Sequence, residues 1–217
     1  MEHTISGVGV IDKAAAVLSA VEESPTGLAG LVDRTGLSRA TAHRLAAALV
    51  AHGMLRRDDD GRFALGSRLI AMGQVAASTW PIAEAAAPAL ELLRDRTGES
   101  AQLYVRDGQS RVCVASLESP HGLRTIVATG ASLPLEQGSG GRVLSGEACD
   151  DGFIVSVGER EAGVASVSAP VRSGEAVVAA VSVSGPIERL TRTPGPVFGP
   201  AVVAAAKAIA LAAGLDR

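Results

Sequence analysis

LAGLVDRTGLSRATAHRLAAAL, residues 28–49, is the stretch on which the fold turns. Leu28, Leu31 and Val32 recur at helical spacing over Leu28–Arg34, and Gly36 follows where a helix end favours a left-handed residue. Ser38 can accept a bond from an early free N–H, so a further helix is predicted from Arg39 to about His52, closed by Gly53. Two helices joined by the short link Thr35–Gly36–Leu37–Ser38 make a helix-turn-helix pattern. The later helix has two dissimilar faces. Thr41, Ala42, Leu45, Ala48 and Leu49 are expected toward a core, with Arg39, Ala40, His43, Arg44 and Ala47 opposite. Small residues interleaved with basic and hydrogen-bonding ones suit a helix that enters a major groove about 12 Å wide.

Working outward, Ile11, Ala14, Ala15, Leu18 and Val21 predict a helix over Val10–Val21, broken by Pro25 and Gly27. Downstream lies LRRDDDGRFAL, residues 55–65, where Asp60–Gly61 predicts a two-residue hairpin turn between Leu55 and Phe63/Leu65. Arg56, Arg57 and Arg62 sit on this hairpin as on the wing of a winged helix. Residues 1–68 carry Lys13 and seven arginines against eight acids, so the segment is neutral as a whole. Its charges segregate: Arg39, Arg44, Arg56 and Arg62 gather on the third helix and wing, and local field outweighs the sum.

The whole chain has 217 residues, 47% of them hydrophobic, with 20 basic and 23 acidic side chains for a net charge of −3. That excludes a disordered polyelectrolyte and leaves length for one or two domains. Phe63, Trp80, Tyr104, Phe153 and Phe198 are too few and too scattered to build a stacking platform for single-stranded nucleic acid. Cys113 and Cys149 lie far apart without a CxxC or histidine cluster, so neither a metal site, a cofactor nor a disulfide is expected. No apolar run approaching a membrane span is read, and Met1–Thr4 opens no signal-peptide core. The expectation is a soluble, cytoplasmic protein with no membrane partner.

Residues 66–96 read as an alanine-rich helical connector, on which Leu65, Leu69, Met72 and Ala76 form an apolar stripe fit to bury against a second copy. Beyond it, Ala101–Val105 with Val112–Ser116, and Gly163–Pro170 with Ala176–Ser184, alternate as hairpin pairs. Gly122–Ala128 is read as a fifth strand and Val197–Leu215 as a covering helix. The fold class is therefore α+β: a winged helix-turn-helix over residues 7–68, then a connector helix and an antiparallel-sheet domain over 69–217. Ser182 and Ser184 share one sheet face, and either hydrogen-bond a small polar ligand or fill a solvated edge. Gly138–Arg142 is either an ordinary glycine turn or a site where free N–H groups suit a carboxylate. Tyr104 and Cys113 read as core, and Arg111 and Arg142 as arginines able to pair a carboxylate. Glu159 and Glu161 are adjacent loop acids rather than a catalytic pair, and no nucleophile elbow or phosphate loop occurs, so an enzyme is rejected.

GVGVIDKAAAVLSAV, the 28–49 stretch and DGRFALGSRL resemble the winged helix of the IclR family of bacterial transcription regulators. RTGESAQLYVRDGQSRVCVASLES, GLRTIVATGASLPLEQGSGGRVLSG and GEREAGVASVSAPVRSGEAVVAAVSVSGPIERLTR are similar to that family's effector domain, which has a GAF-like fold. The likeness is greatest to an actinobacterial branch associated with amino-acid metabolism, especially leucine biosynthesis. The resemblance implies a regulator that binds double-stranded operator DNA as a dimer or tetramer. It implies DNA contacts from Ser38, Arg39, Thr41, His43, Arg44, Arg56 and Arg62. It also implies a small-carboxylate effector between Gly140, Gly141 and Arg142 and the Ser182/Ser184 face, with Leu135 and Val143 as apolar walls. The other reading is a ligand-sensing module whose helix-turn-helix contacts protein. In one place the sequence departs from the family: only GEACDDGFIVSV, residues 146–157, stands where a helical segment usually lies, which implies an altered and more open effector site.

Overall fold

The computed structural model describes residues 8–215. Met1–Thr4 and the outer domain limits at Gly7 and Arg217 lie outside the described residues. The chain divides into two compact units, with the division between Val75 and Ala76.

In the first unit, α1 (Gly9–Glu23), α2 (Leu28–Thr35) and α3 (Arg39–Ala51) precede the ribbon β1 (Leu55–Arg57) and β2 (Phe63–Leu65). Val17, Val21, Leu31, Ala42, Ala46, Leu49, Leu55 and Phe63 form one core. Gly36 takes φ 65° and its N–H bonds the Val32 carbonyl at 2.9 Å, which ends α2 where the sequence reading put it. Two helix phases differ from expectation. On α1 the buried face is Val17, Ala20 and Val21, while Ile11 is 60% exposed. On α3, Ala46 is buried with Ala42 and Leu49, and Ala48 is exposed. Alanine-rich helices offer several apolar stripes of nearly equal weight, and packing on Leu31 and Phe63 selects among them. The hairpin turn also differs. Arg57 pairs Phe63, the Gly61 N–H returns to the Asp58 carbonyl at 2.9 Å, and Gly61 is left-handed at φ 72°. This is a turn with three residues between Asp58 and Arg62, because Asp58 closes it through its own carboxylate.

The connector is two helices, α4 (Ser67–Ser78) and α5 (Pro81–Thr97), not one. Pro81 has no N–H to donate and holds Trp80 extended at ψ 109°, so the run breaks there. Leu65 belongs to β2 rather than to the connector stripe. None of the α4 residues is buried; Met72 is 48% and Ile70 67% exposed.

The second unit is built on an antiparallel six-stranded sheet in the order β5-β4-β3-β8-β7-β6. Its strands are β3 (Ser100–Asp107), β4 (Ser110–Leu117), β5 (Ser132–Pro134), β6 (Ile154–Val157), β7 (Val164–Ser173) and β8 (Ala176–Pro186). The stretch Gly122–Ala128 is not a strand. Side chains hold it as a loop: the Ser100 hydroxyl donates to the Thr125 carbonyl at 2.7 Å and Arg189 donates to the Leu123 carbonyl at 2.8 Å. Strands β5 and β6 take the outer positions instead.

One sheet face carries Ala101, Leu103, Val167, Val181 and Val183, packed with Leu90 and Leu93 of α5 and with α8 (Gly195–Ala212). By length and composition α8 could cross a membrane, with 18 residues at mean hydropathy 1.6, contrary to the reading that no run approaches this. Its Phe198, Val202, Ala205, Ala206 and Ile209 lie in the sheet core, which accounts for the apolar run. The opposite face is hydroxyl-rich. Gln102 stands directly across from Ser182, Ser100 from Ser184, and Ser168 from Ser182 on the other side. The six-residue α6 (Ser139–Leu144) packs over this face, and short α7 (Ile187–Leu190) follows β8.

Candidate nucleic-acid interface and effector cavity

Ser38 caps α3: its Oγ accepts the Thr41 N–H at 3.3 Å and donates to the Thr41 hydroxyl at 3.0 Å. This fixes the first turn of the helix and leaves Arg39, Ala40, His43, Arg44 and Ala47 exposed on one face. Arg39, His43, Arg44 and Arg56 carry no ion pair among the described residues. The remaining arginines of the unit are engaged. Arg34 bonds the Ala20 carbonyl at 2.6 Å, and Arg68 bonds that of His52 at 3.1 Å. Arg57 donates to the Gly61 carbonyl and lies 3.7 Å over the Phe63 ring.

Arg62, counted with the free cations in the sequence reading, is clamped within the wing. Asp58 and Asp60 each accept from it at 2.9 Å. Desolvation would raise the Asp58 carboxyl, but hydrogen bonds and charge from Arg62 outweigh it and hold the group below its usual range. Arg39, Arg44 and Arg56 thus leave exposed, acid-free positive charge on α3 and β1, and Arg62 at the wing tip is balanced by the wing's own aspartates.

In the second unit a cavity of about 20 Å³ lies between β3, β7, β8 and α6. The Ser139 hydroxyl is 2.7 Å from those of both Ser166 and Ser168, and Ser168 donates to Ser182 at 2.8 Å. Ser184 donates to Gln102 Oε1 at 3.1 Å. Buried Gln102 Nε2 and Thr125 Oγ1, neither of them in the cavity lining, have no hydrogen-bond partner among the described residues. Tyr104 and Arg111 line one side, with the guanidinium 5.3 Å above the ring. Burial pushes the Tyr104 phenol up, so it stays protonated, and burial together with the charge of Arg160 pulls Arg111 down. Cys113, buried beside Tyr104, is pushed up by burial to about 12 and stays a thiol.

Of the predicted effector residues, Gly140, Ser182 and Ser184 line this cavity together. Leu135 and Val143 are buried in a neighbouring apolar cluster with Tyr104 and Cys113, and Gly141 packs against the Leu135 carbonyl. Arg142 is engaged elsewhere. It pairs Glu147 at 2.5 Å and Glu159 at 2.9 Å and donates to the Val155 carbonyl at 3.1 Å. Glu159 also accepts the Gly138 N–H at 3.1 Å, so the chain's own carboxylate stands where the sequence suggested a ligand's. Sequence reasoning missed Ser139, Ser156, Ser166 and Arg160 as cavity residues. The alternation Ser166–Val167–Ser168 on β7, mirrored by Ser182–Val183–Ser184 on β8, was the available signal. The short 146–157 connection contains no helix and contributes Ser156 to this cavity. Open grooves of about 450 and 360 Å³ border the connection itself, the first at Gly152 and the second at Gly146, Glu147 and Cys149, and both reach Pro170 and Arg172.

A winged helix with a cationic helix face, followed by a separate α+β unit with a polar cavity, defines a transcription regulator with an effector-binding domain. The IclR helix-turn-helix domain matches residues 10–59, and the bacterial transcriptional regulator IclR C-terminal domain matches 74–148 and 146–211. The chain belongs to the IclR family. It is 28% identical to the HTH-type transcriptional regulator KipR of Bacillus subtilis over 76% of this chain and 80% of that protein. It is 27% identical to the glycerol operon regulatory protein of Streptomyces coelicolor over 84% of this chain and 86% of that one. An IclR family regulator from Brucella abortus shares the fold at TM-score 0.83 and 23% identity, covering 94% of this chain and 92% of that one. An IclR homologue from Microbacterium hydrocarbonoxydans, solved with 4-hydroxybenzoate, does so at TM-score 0.72 and 21% identity, covering 94% and 99%. The families and relatives matched are transcription regulators, not enzymes.

Proposed function

We propose that this regulator binds a double-stranded operator through α3 and β1, and controls genes of amino-acid metabolism, leucine biosynthesis in particular, in response to a small carboxylate. The observation that carries the DNA reading is the exposed set Arg39, His43 and Arg44 on α3, with Arg56 on β1, none of them neutralised by an acid. Arg39, His43 and Arg44 face bases or phosphates, while Ser38 and Thr41 sit near the backbone and Arg62 on the wing. The carboxylate reading is supported by the arginine- and serine-lined cavity and by the aromatic acid bound in one structural relative. The leucine assignment rests on the sequence resemblance. The ligand acts by preferring one of two arrangements of the winged helices.

Genome-wide recovery of bound DNA supplies the operator, and a titration of it then tests the interface. Arg44→Ala should cost roughly 1–3 kcal/mol of affinity if the guanidinium makes a bidentate base contact. Affinity should fall steeply with salt, and each phosphate-contacting arginine removed should lower the log–log slope by about 1. An interaction indifferent to salt would instead mark a protein-binding helix-turn-helix.

Met72 and Ala76 on exposed α4, with half-buried Leu69, support a homodimer or a tetramer on palindromic half-sites. Sedimentation at micromolar concentration should show a species at least twice the 21.9 kDa chain mass; a lone monomer would rule the dimer out.

A further inference from the structure

Arg111 is 3% exposed and has no carboxylate partner among the described residues. Its Nη1 donates to the Pro134 and Gln137 carbonyls, the latter at 2.6 Å, and its buried Nε has no partner among the described residues. A second arginine borders the same space: Arg160 lines the cavity, its charge acts on Arg111, and it forms no ion pair among the described residues. Glu159, next to Arg160 in the chain, is already committed to Arg142 and the Gly138 N–H.

A buried cation next to a like charge, with no counter-charge, is an arrangement that folding alone does not favour. The cavity supplies hydroxyls from Ser139, Ser166, Ser182 and Ser184 but no carboxylate. Hydroxyls and guanidinium N–H groups together are the donor set that holds oxyanions. The space of about 20 Å³ takes a single oxygen-centred group, so the body of any ligand lies outside it.

We propose that the effector site recognises a doubly charged oxyanion, a short dicarboxylate or a phosphate monoester, seated between Arg111 and Arg160 with one oxygen among the cavity serines. This rests on the reading of the second unit as effector-binding and names the ligand's charge and its anchors. Arg111 is the fixed anchor. Arg160, on the loop between β6 and β7, is the element that distinguishes two charges from one. Arg142 takes no part.

Calorimetry on the full-length protein at pH 7.5 with malonate, methyl phosphate, acetate and 4-hydroxybenzoate tests this. Malonate or methyl phosphate should bind at least about tenfold tighter than acetate, as expected for one added charge-assisted contact. Which of the two does so identifies the source of the charge. 4-Hydroxybenzoate should bind no better than acetate. Arg160→Gln, at a half-exposed position, should abolish the preference for two charges while leaving thermal unfolding unchanged; Arg111→Met should abolish binding of both classes. Equal affinity for acetate and both dianions, or a preference that survives Arg160→Gln, would overturn the proposal. DNA affinity measured on the same preparations reports separately on the regulator reading: operator binding with no dianion preference sinks only the present inference.

Discussion

Phe63→Ala should strongly destabilise the winged helix and weaken DNA binding while the effector unit keeps its own unfolding transition. Phe63 is 1% exposed and sits in the single core of the first unit with Val17, Leu31 and Leu49. It also joins three pieces of chain. Its N–H and carbonyl exchange bonds with Thr26 at 2.8 and 3.0 Å, which ties the wing to the link before α2. Its ring lies under Arg57. Truncating such a residue costs about 3–5 kcal/mol from lost transfer energy and the cavity left behind. At roughly 0.05–0.15 kcal/mol per residue so small a unit has only about 4–11 kcal/mol in hand, so the variant loses a large share of its margin. Phe63→Leu keeps much of the volume and should cost under about 1.5 kcal/mol. Differential scanning calorimetry combined with an operator titration checks both. Full DNA affinity and an unmoved first transition in Phe63→Ala would show that the core is not organised around this ring.

The helix-turn-helix was legible because its punctuation is local: Gly36 ends one helix and Ser38 starts the next, and both act through backbone groups within a few residues. The hairpin pairs of the sheet were legible for the same reason, since alternation and a turn lie side by side in sequence. Helix phase was less legible, because a run such as Ala46–Ala47–Ala48 carries no volume difference to say which alanine faces inward. Arg142 illustrates the remaining difficulty. Its place beside Gly138–Gly141 suggested a ligand anchor, yet Glu147 and Glu159 claim it in the fold. Arg111, farther away in sequence, reaches the cavity because β4 lies next to β3 and carries it to the flank of Tyr104. Such juxtapositions follow from strand order, and strand order is set by contacts across the whole sheet.

Arg189→Met should destabilise the effector unit by about 3–5 kcal/mol, because it leaves the carboxylate of Glu99 buried without its cation. Glu99 is 2% exposed, and Arg189 grips it with two bonds, Nε to Oε1 at 2.5 Å and Nη2 to Oε2 at 2.8 Å. The same Nη2 donates to the Leu123 carbonyl at 2.8 Å, so the pair also holds the loop that carries Thr125. That loop is fixed a second time where the Ser100 hydroxyl bonds the Thr125 carbonyl and accepts the Ser119 N–H at 3.0 Å. Losing the arginine therefore has two consequences of different size. The larger is the unpaired charge, which adding Glu99→Gln in the same chain should relieve by about half or more, since a neutral amide tolerates the site better. The smaller is the freed loop, which the second substitution should not restore. Denaturant unfolding of the single and double variants separates the two, and amide exchange over residues 118–125 should stay fast in both. Operator binding by the winged helix should be unchanged. A cost below about 1 kcal/mol in Arg189→Met, or a double variant no more stable than the single, would mean that the pair neither carries a buried charge nor pins the loop.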